Sequence, residues 1–416
     1  MKRIQTFILL IFLLTMQSIA GDVRGFITFG EDMGPPYPPA ESFQASQSDI
    51  LRLLYLSRSS QQVSIELAGR YARRAAELSI QMNHKEMLAT SYLIHAQAYF
   101  IGFLADSGNF YFDKAFQTAV AAKDLTTMGY IKVWRAITSL YDNEQGKFFQ
   151  EISQAEELFR KAGDHEGLLF ALFSKSRIYL KLELTDEAEA IVEKALEMIK
   201  EEDDPFIIDF FHQRLSEIYT ARKDFSKAIQ ILEEGLPMIR KSGNRFHEAT
   251  HYRLLGITYI QKGDYGSALD VLYKAYEICH ASNLDRSSSD VLTLLANVYR
   301  KTKQYDLSVM MNYQARKLRK NTGFEPIYIT SCINSGNVFL EMGNYDSALF
   351  WLNKGYDLAL RLRHISSITR ATGLLTKACK DMGDYDAALR YMDIYTQSNK
   401  QKIQIRNQNA FKSMSD

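Results

Sequence analysis

One stretch recurs along this chain every 40 residues. Leu255-Gly256-Ile257-Thr258-Tyr259, followed by Lys262-Gly263-Asp264-Tyr265-Gly266-Ser267-Ala268, reads as a helix, a tight turn and a second helix. The small residue at 256 returns as Ser176, Ser216, Ala296, Gly336 and Thr376. The aromatic after it returns as Tyr179, Tyr219, Tyr299 and Phe339, with Cys379 at the last copy. The residue opening the second helix returns as Ala188, Ala228, Ser308, Ala348 and Ala388. Self-similarity at a fixed period specifies a solenoid, because each unit buries its apolar face only against its neighbours. Strand signals are absent, so the expected class is all-α.

Turn chemistry supports the same register independently of the apolar pattern. Lys223-Asp224-Phe225, Gly263-Asp264-Tyr265, Gly343-Asn344-Tyr345 and Gly383-Asp384-Tyr385 share one phase within the pairs. Between pairs, Gly163, Gly243 and Gly323 share another, with Asn283 in the same place. Glycine, and next to it asparagine, takes the left-handed conformation that ends a helix. Extended backwards, the register puts equivalents of Gly256 at Ala136, Ala96 and Leu56. Ala96 brings Tyr99, Phe112 and Ala115, and Ala136 brings Phe148, Ile152 and Ala155. A first pair near 49–82 fits through Ala68, Ala72 and Ala75, and terminal repeats depart from consensus because they cap the core. The reading is about nine helix-turn-helix repeats over residues 43–395.

The ends differ in composition. Residues 1–20 carry Lys2 and Arg3, an apolar run from Ile4 to Met16, and Ser18-Ile19-Ala20 before Gly21, the order of a secretory signal peptide. The apolar run is shorter than the ~20 residues a span needs, and no cysteine stands at the cleavage point. The mature chain is therefore expected to be exported, periplasmic or secreted, not a lipoprotein and without a membrane span. Residues 21–42 contain Pro35, Pro36, Pro38 and Pro39 and read as an extended linker. Residues 396–416 form a polar, basic tail, expected to be a fraying capping helix that becomes disordered. Loss of Lys2 and Arg3 takes 50 basic against 49 acidic residues to 48 against 49. Near-neutrality argues against nucleic acid or an anionic membrane as partner. The basic run from Arg316 to Lys320 falls at a predicted helix end, where cations complement the dipole. Cys279, Cys332 and Cys379 fall in three different repeats and read as small core residues.

His247-Glu248-Ala249-Thr250-His251 matches H-E-x-x-H, whose spacing on a helix lets two imidazoles hold zinc while the glutamate activates water. A catalytic zinc takes a third protein ligand, and none follows at a usable position. The pair reads as ordinary helix residues whose joint replacement by alanine leaves the protein unchanged, with a zinc hydrolase as the remote alternative. No phosphate loop and no nucleophile elbow occur, so no catalytic residue, metal or cofactor is assigned.

The recurring residues resemble the tetratricopeptide repeat. Leu255-Gly256-x-x-Tyr259 with Ala268-x-x-x-Leu272-x-x-Ala275 carries the resemblance, as does Gly336-Asn337-Val338-Phe339 with Gly343-Asn344-Tyr345-Asp346-Ser347-Ala348. The period departs from the family's usual ~34 residues. The resemblance implies a right-handed α-solenoid superhelix that binds protein or an extended peptide in a groove lined by the first helices. By the family's offsets that groove takes Tyr130, Val133, Ile137 and Phe173 as an apolar half, with Arg177 an exception. Arg253, Asn297, Arg300, Asn337, Lys377 and Lys380 form a polar, cationic half. An asparagine directly after the small residue donates and accepts toward one peptide unit. The arrangement also resembles the exported sensory region of bacterial regulators, which leaves a periplasmic sensory module of a membrane-bound regulator or sensor kinase as the alternative. Oligomeric state is not specified by any of these features.

Overall fold

The computed structural model describes residues 39–61, 64–101, 105–141, 145–200, 205–319, 325–362 and 364–413. The signal peptide expected at 1–20 and the proline-rich stretch up to 38 lie outside the described residues. After a short 3-10 turn at Ala40–Ser42, the described residues form eighteen α-helices in nine consecutive pairs. The first three pairs are α1 (Gln47–Ser60) with α2 (Ile65–Gln81), α3 (Lys85–Ile101) with α4 (Ala105–Ala122), and α5 (Leu125–Tyr141) with α6 (Gln145–Ala162). Then come α7 (His165–Lys181) with α8 (Thr185–Met198), α9 (Pro205–Ala221) with α10 (Phe225–Ser242), and α11 (Arg245–Lys262) with α12 (Tyr265–Ala281). The last are α13 (Asp285–Lys301) with α14 (Tyr305–Arg319), α15 (Glu325–Glu341) with α16 (Tyr345–Arg361), and α17 (Ile365–Met382) with α18 (Tyr385–Ser413). From α3 onward every first helix starts 40 residues after the one before.

One turn, repeated, sets that spacing. A residue in the left-handed region follows the helix, and the next N–H reaches back five residues to a carbonyl of the last helical turn. Asp264 N donates to Tyr259 O at 2.9 Å across Gly263, whose φ is +86°. Asn344 to Phe339 and Asp384 to Cys379 repeat it, both at 2.9 Å. This closes the helix and leaves the residue after the glycine to cap the next one. Asp264 Oδ1 accepts from Ser267 N at 3.1 Å, Asn344 Oδ1 from Ser347 N at 3.1 Å, and Asp124 Oδ1 from Thr127 N at 3.0 Å. Lys123, Glu183, Lys223 and Lys303 adopt the same positive φ without being glycine.

Small residues permit the helix pairs to close. Ala96, Ala136, Ser176, Ser216 and Ala296 are buried, as are Ala188, Ala228, Ala268, Ser308 and Ala348. At Gly336 an added Cβ would stand 2.5 Å from Leu352 Cγ, so only hydrogen fits between α15 and α16. The aromatic three positions on is half-buried at Tyr179, Tyr259 and Phe339 and buried at Tyr219 and Tyr299. Tyr299 and Tyr273 share a hydroxyl hydrogen bond of 2.6 Å.

The chain divides into two compact units, residues 1–258 and 259–416. In the first, a core from Ala89 to Ile218 is built around Trp134, Phe148, Phe159, Phe170 and Phe211, all fully buried. In the second, Ile329, Ile333, Leu352, Ala371 and Leu375 form the principal cluster. The three cysteines are buried. Over the tail, α18 runs on as helix to Ser413. No helix of the described residues is long and apolar enough to cross a membrane.

Candidate functional site

In the first unit the H-E-x-x-H pair serves a buried carboxylate. Asp209 on α9 and both histidines on α11 are fully enclosed. His247 Nδ1 lies 2.8 Å from Asp209 Oδ2, and His251 Nε2 lies 3.2 Å from Oδ1. Gln213, one helical turn after Asp209, donates its Nε2 to Oδ2 at 2.7 Å. The other ring nitrogen of His251 faces the His247 carbonyl at 3.3 Å. Burial alone would raise the Asp209 carboxyl, but the charge and hydrogen bonds of His251 and His247 outweigh it and hold the group well below the usual carboxylate range. Glu248, the third member of the motif, is turned to Arg245 Nη1 at 2.9 Å and Arg240 Nε at 3.3 Å. Among the described residues no three His, Cys, Asp or Glu side chains are grouped to hold a metal ion. The expectation that the two histidines are ordinary and dispensable is corrected, because removing them would strand a buried charge.

The apolar half of the expected groove is also corrected. Tyr130, Val133 and Phe173 are 2 %, 0 % and 3 % exposed, and Ile137 is 3 % exposed. Tyr130 packs edge-on to Phe159 of its own pair at 4.9 Å between ring centres and meets Phe170 of the next repeat at 5.7 Å, while Phe173 meets Phe210 at 5.9 Å and Phe211 at 5.8 Å, both in the next repeat. The Arg214 guanidinium closes over the Phe173 ring at 4.6 Å. A large apolar residue at that offset joins the core between repeats and is not presented to a ligand. Arg253, also in this unit, is half-buried.

The polar positions of the second unit are placed differently. Asn297 and Arg300 on α13 and Asn337 on α15 are half-buried, while Lys377 and Lys380 on α17 are exposed. Two polar contacts link these three successive first helices. Arg300 Nη2 donates to Asn297 Oδ1 at 3.0 Å, and Arg300 Nη1 meets Glu341 Oε1 of α15 at 2.6 Å. Arg370 of α17 donates to Asn334 Oδ1 of α15. Crowding, and then the Arg300 charge, push the Arg370 guanidinium below its ordinary value. Arg300 and Arg370 thus share a surface with Glu341, and Glu341 is engaged by Arg300. Such a surface can hold an anion and pair with a peptide backbone through carboxamides. Sequence reasoning missed Asn334, Arg370 and Asp209, which lie two, six and seven residues before the small residue of their repeats. Only a wider set of offsets around that residue would have reached them.

Comparison with known proteins follows this geometry. Tetratricopeptide-repeat family models match residues 171–202, 210–280 and 287–361. Among curated proteins none matches the sequence. A Rap protein solved in complex with Competence and Sporulation Factor is similar in fold at 15 % identity, with 88 % of this chain and 100 % of that one covered and a TM-score of 0.56. Aspartyl phosphate phosphatase F from Bacillus subtilis is similar at 13 % identity, covering 85 % and 94 %, with a TM-score of 0.53. A signal transduction ATPase with numerous domains and a tetratricopeptide repeat sensor, from Pyrococcus horikoshii, matches at 12 % identity, covering 93 % and 62 %, with a TM-score of 0.53. Identities this low speak to fold alone. With helix pairs on a 40-residue period and small residues where the helices close, this chain carries tetratricopeptide repeats at residues 171–202, 210–280 and 287–361.

Proposed function

We propose that this protein is an exported, non-catalytic scaffold that captures an extended peptide or protein segment carrying a carboxylate, on the first-helix surface of its second unit. One observation carries the reading. Asn297, Asn334 and Asn337 stand among Arg300, Arg370 and Lys377 on adjacent helices, and Arg370 meets a carboxamide where a structural arginine meets a carboxylate. Carboxamides fix a peptide backbone, and guanidiniums select its charge. The Rap protein of the same fold, solved with Competence and Sporulation Factor, supports the view that such a chain takes a partner. Export rests on the leader-like residues 1–20, and fractionation of a reporter fused to them tests it separately.

A library of fluorescent peptides with free acidic C-termini supplies the probe. Selected peptides should bind the purified chain more weakly as salt rises, because surface charges are screened. Asn337→Ala combined with Arg370→Ala should weaken capture at least about tenfold, the loss expected when charged and bidentate contacts go together, with melting unchanged. Equal binding by that variant would overturn the assignment of this surface.

A further inference from the structure

The basic run at the end of α14 splits in the folded chain. Lys317 is exposed, whereas Arg316 turns inward and is only 8 % exposed. Its Nη1 donates to Ser335 Oγ and, at 3.4 Å, to Ser331 Oγ, both on α15. Its guanidinium carbon stands 4.1 Å from the centre of the Trp351 ring on α16. Lys354, one turn after Trp351, places its Nζ 5.3 Å from the centre of the same ring and 5.5 Å from that of Tyr328 on α15. Two cations, from successive second helices, thus converge on one indole.

No carboxylate answers them. Among the described residues neither Arg316 nor Lys354 forms an ion pair, whereas Arg300 in the same unit has Glu341. Asp357, one turn beyond Lys354, is exposed and makes no ion pair with it. The Cys332 thiol feels both cations, yet burial outweighs them and pushes it up to about 11, so it supplies no thiolate. A cation shut away from water costs stability unless an anion compensates it, and an indole face does so only in part. Packing alone would be served as well by an apolar side chain of the same volume. The Arg316 fork is also left over. Among the described residues its Nε and Nη2 donate to nothing, and neither is sealed from solvent. Those two N–H groups are the parallel pair that matches two oxygens of one oxyanion. Tyr313, one turn before Arg316, and Phe350, beside Trp351, are each 60 % exposed and border the cations with open rings. A carboxylate would balance one of the two charges. A phosphate carries about −1.5 to −2 at neutral pH and balances both.

We infer that Arg316 and Lys354 form a binding site for a phosphate dianion, free or as a monoester, on the second helices of this unit. The Arg316 fork takes two of its oxygens, Lys354 supplies the second charge, and Tyr313 and Phe350 flank the group that carries it. No residue of the surface proposed for peptide capture takes part, so either assignment can fail alone.

Calorimetric titration of the full chain with phenyl phosphate, inorganic phosphate and benzoate, each to millimolar concentration, tests the site. Both phosphates should bind, and benzoate should bind severalfold more weakly than phenyl phosphate. Tighter binding of phenyl phosphate than of inorganic phosphate assigns the site to a monoester, and equal binding assigns it to free phosphate. Arg316→Lys keeps the charge and removes the fork, so it should weaken phenyl phosphate at least about tenfold, the worth of a charge-assisted hydrogen bond. Arg316→Met should melt no lower than the wild type, because it removes an uncompensated cation. It should also lose the rise in Tm that phenyl phosphate gives the wild type. Lys354→Met, at a half-buried position, should weaken binding severalfold with melting unchanged, and decides the question if Arg316→Met folds poorly. Failure of both phosphates to bind the wild type overturns the inference. So does benzoate binding as tightly as phenyl phosphate, or wild-type affinity in Lys354→Met and Arg316→Lys.

Discussion

Asp209→Asn isolates the electrostatics of the first unit, since the amide keeps the carboxylate's shape and removes its charge. In the native protein the carboxylate is wholly enclosed, faces His247 Nδ1 at 2.8 Å and His251 Nε2 at 3.2 Å, and accepts from Gln213 at 2.7 Å. Breaking a buried pair by removing one partner leaves the other uncompensated and costs about 3–5 kcal/mol. We therefore expect urea unfolding at neutral pH to show a loss of that size for Asp209→Asn. The pH dependence carries a sign that packing alone does not produce. The folded carboxyl lies well below its unfolded value, so the unfolded chain binds the extra proton first as pH falls. Its contribution is fully present above about pH 4, the unfolded value of an aspartate, and declines by about 1.4 kcal/mol per pH unit below that. The gap between wild type and Asp209→Asn should accordingly narrow on acidification from pH 5 to pH 3, roughly the window those values define. A loss under about 1 kcal/mol at neutral pH, the scale of one ordinary hydrogen bond, would refute the reasoning. So would a gap independent of pH.

Three other outcomes follow from the geometry. Gly336→Ala should cost about 1–3 kcal/mol as overpacking against Leu352, read in thermal melting, because the added methyl lands 2.5 Å from Leu352 Cγ. Lys223→Gly and Lys303→Gly should each stabilise by about 1 kcal/mol, since both lysines hold a left-handed backbone that glycine takes without strain, at φ of +65° and +60°. Phe159→Ala should cost about 3–5 kcal/mol and half-buried Tyr259→Ala distinctly less, which chemical denaturation of the two variants side by side will show.

Periodicity was legible in the sequence because packing in a repeat array is local. Gly256 and Ala268 have the same neighbours as Ala296 and Ser308, so the same small residue is demanded at each copy, and the helix boundaries follow. Turns marked by Gly263, Gly343 and Gly383 were visible for the same reason, whereas Lys123 and Glu183, which hold the same backbone, carry no compositional mark and could be placed only by counting. Surface was less legible. Tyr130, Val133 and Phe173 occupy the offsets of groove residues, but those offsets point to solvent only when the side chain is small or polar. A large apolar group there is pulled under the next repeat.

The amino-acid sequence by itself thus determined the all-α class, the 40-residue pitch, the pairing of helices and the three buried cysteines, because each depends on residues close in the chain or one repeat apart. Tertiary structure alone decided that His247 and His251 answer to Asp209, that Arg370 reaches Asn334, and that α18 runs on to Ser413 with Leu389 and Met392 uncovered. Burial and charge pairing are properties of what surrounds a side chain. Asp209 and His247 lie 38 residues apart, and no local pattern records which polar groups the folding of α9 against α11 will shut away from water.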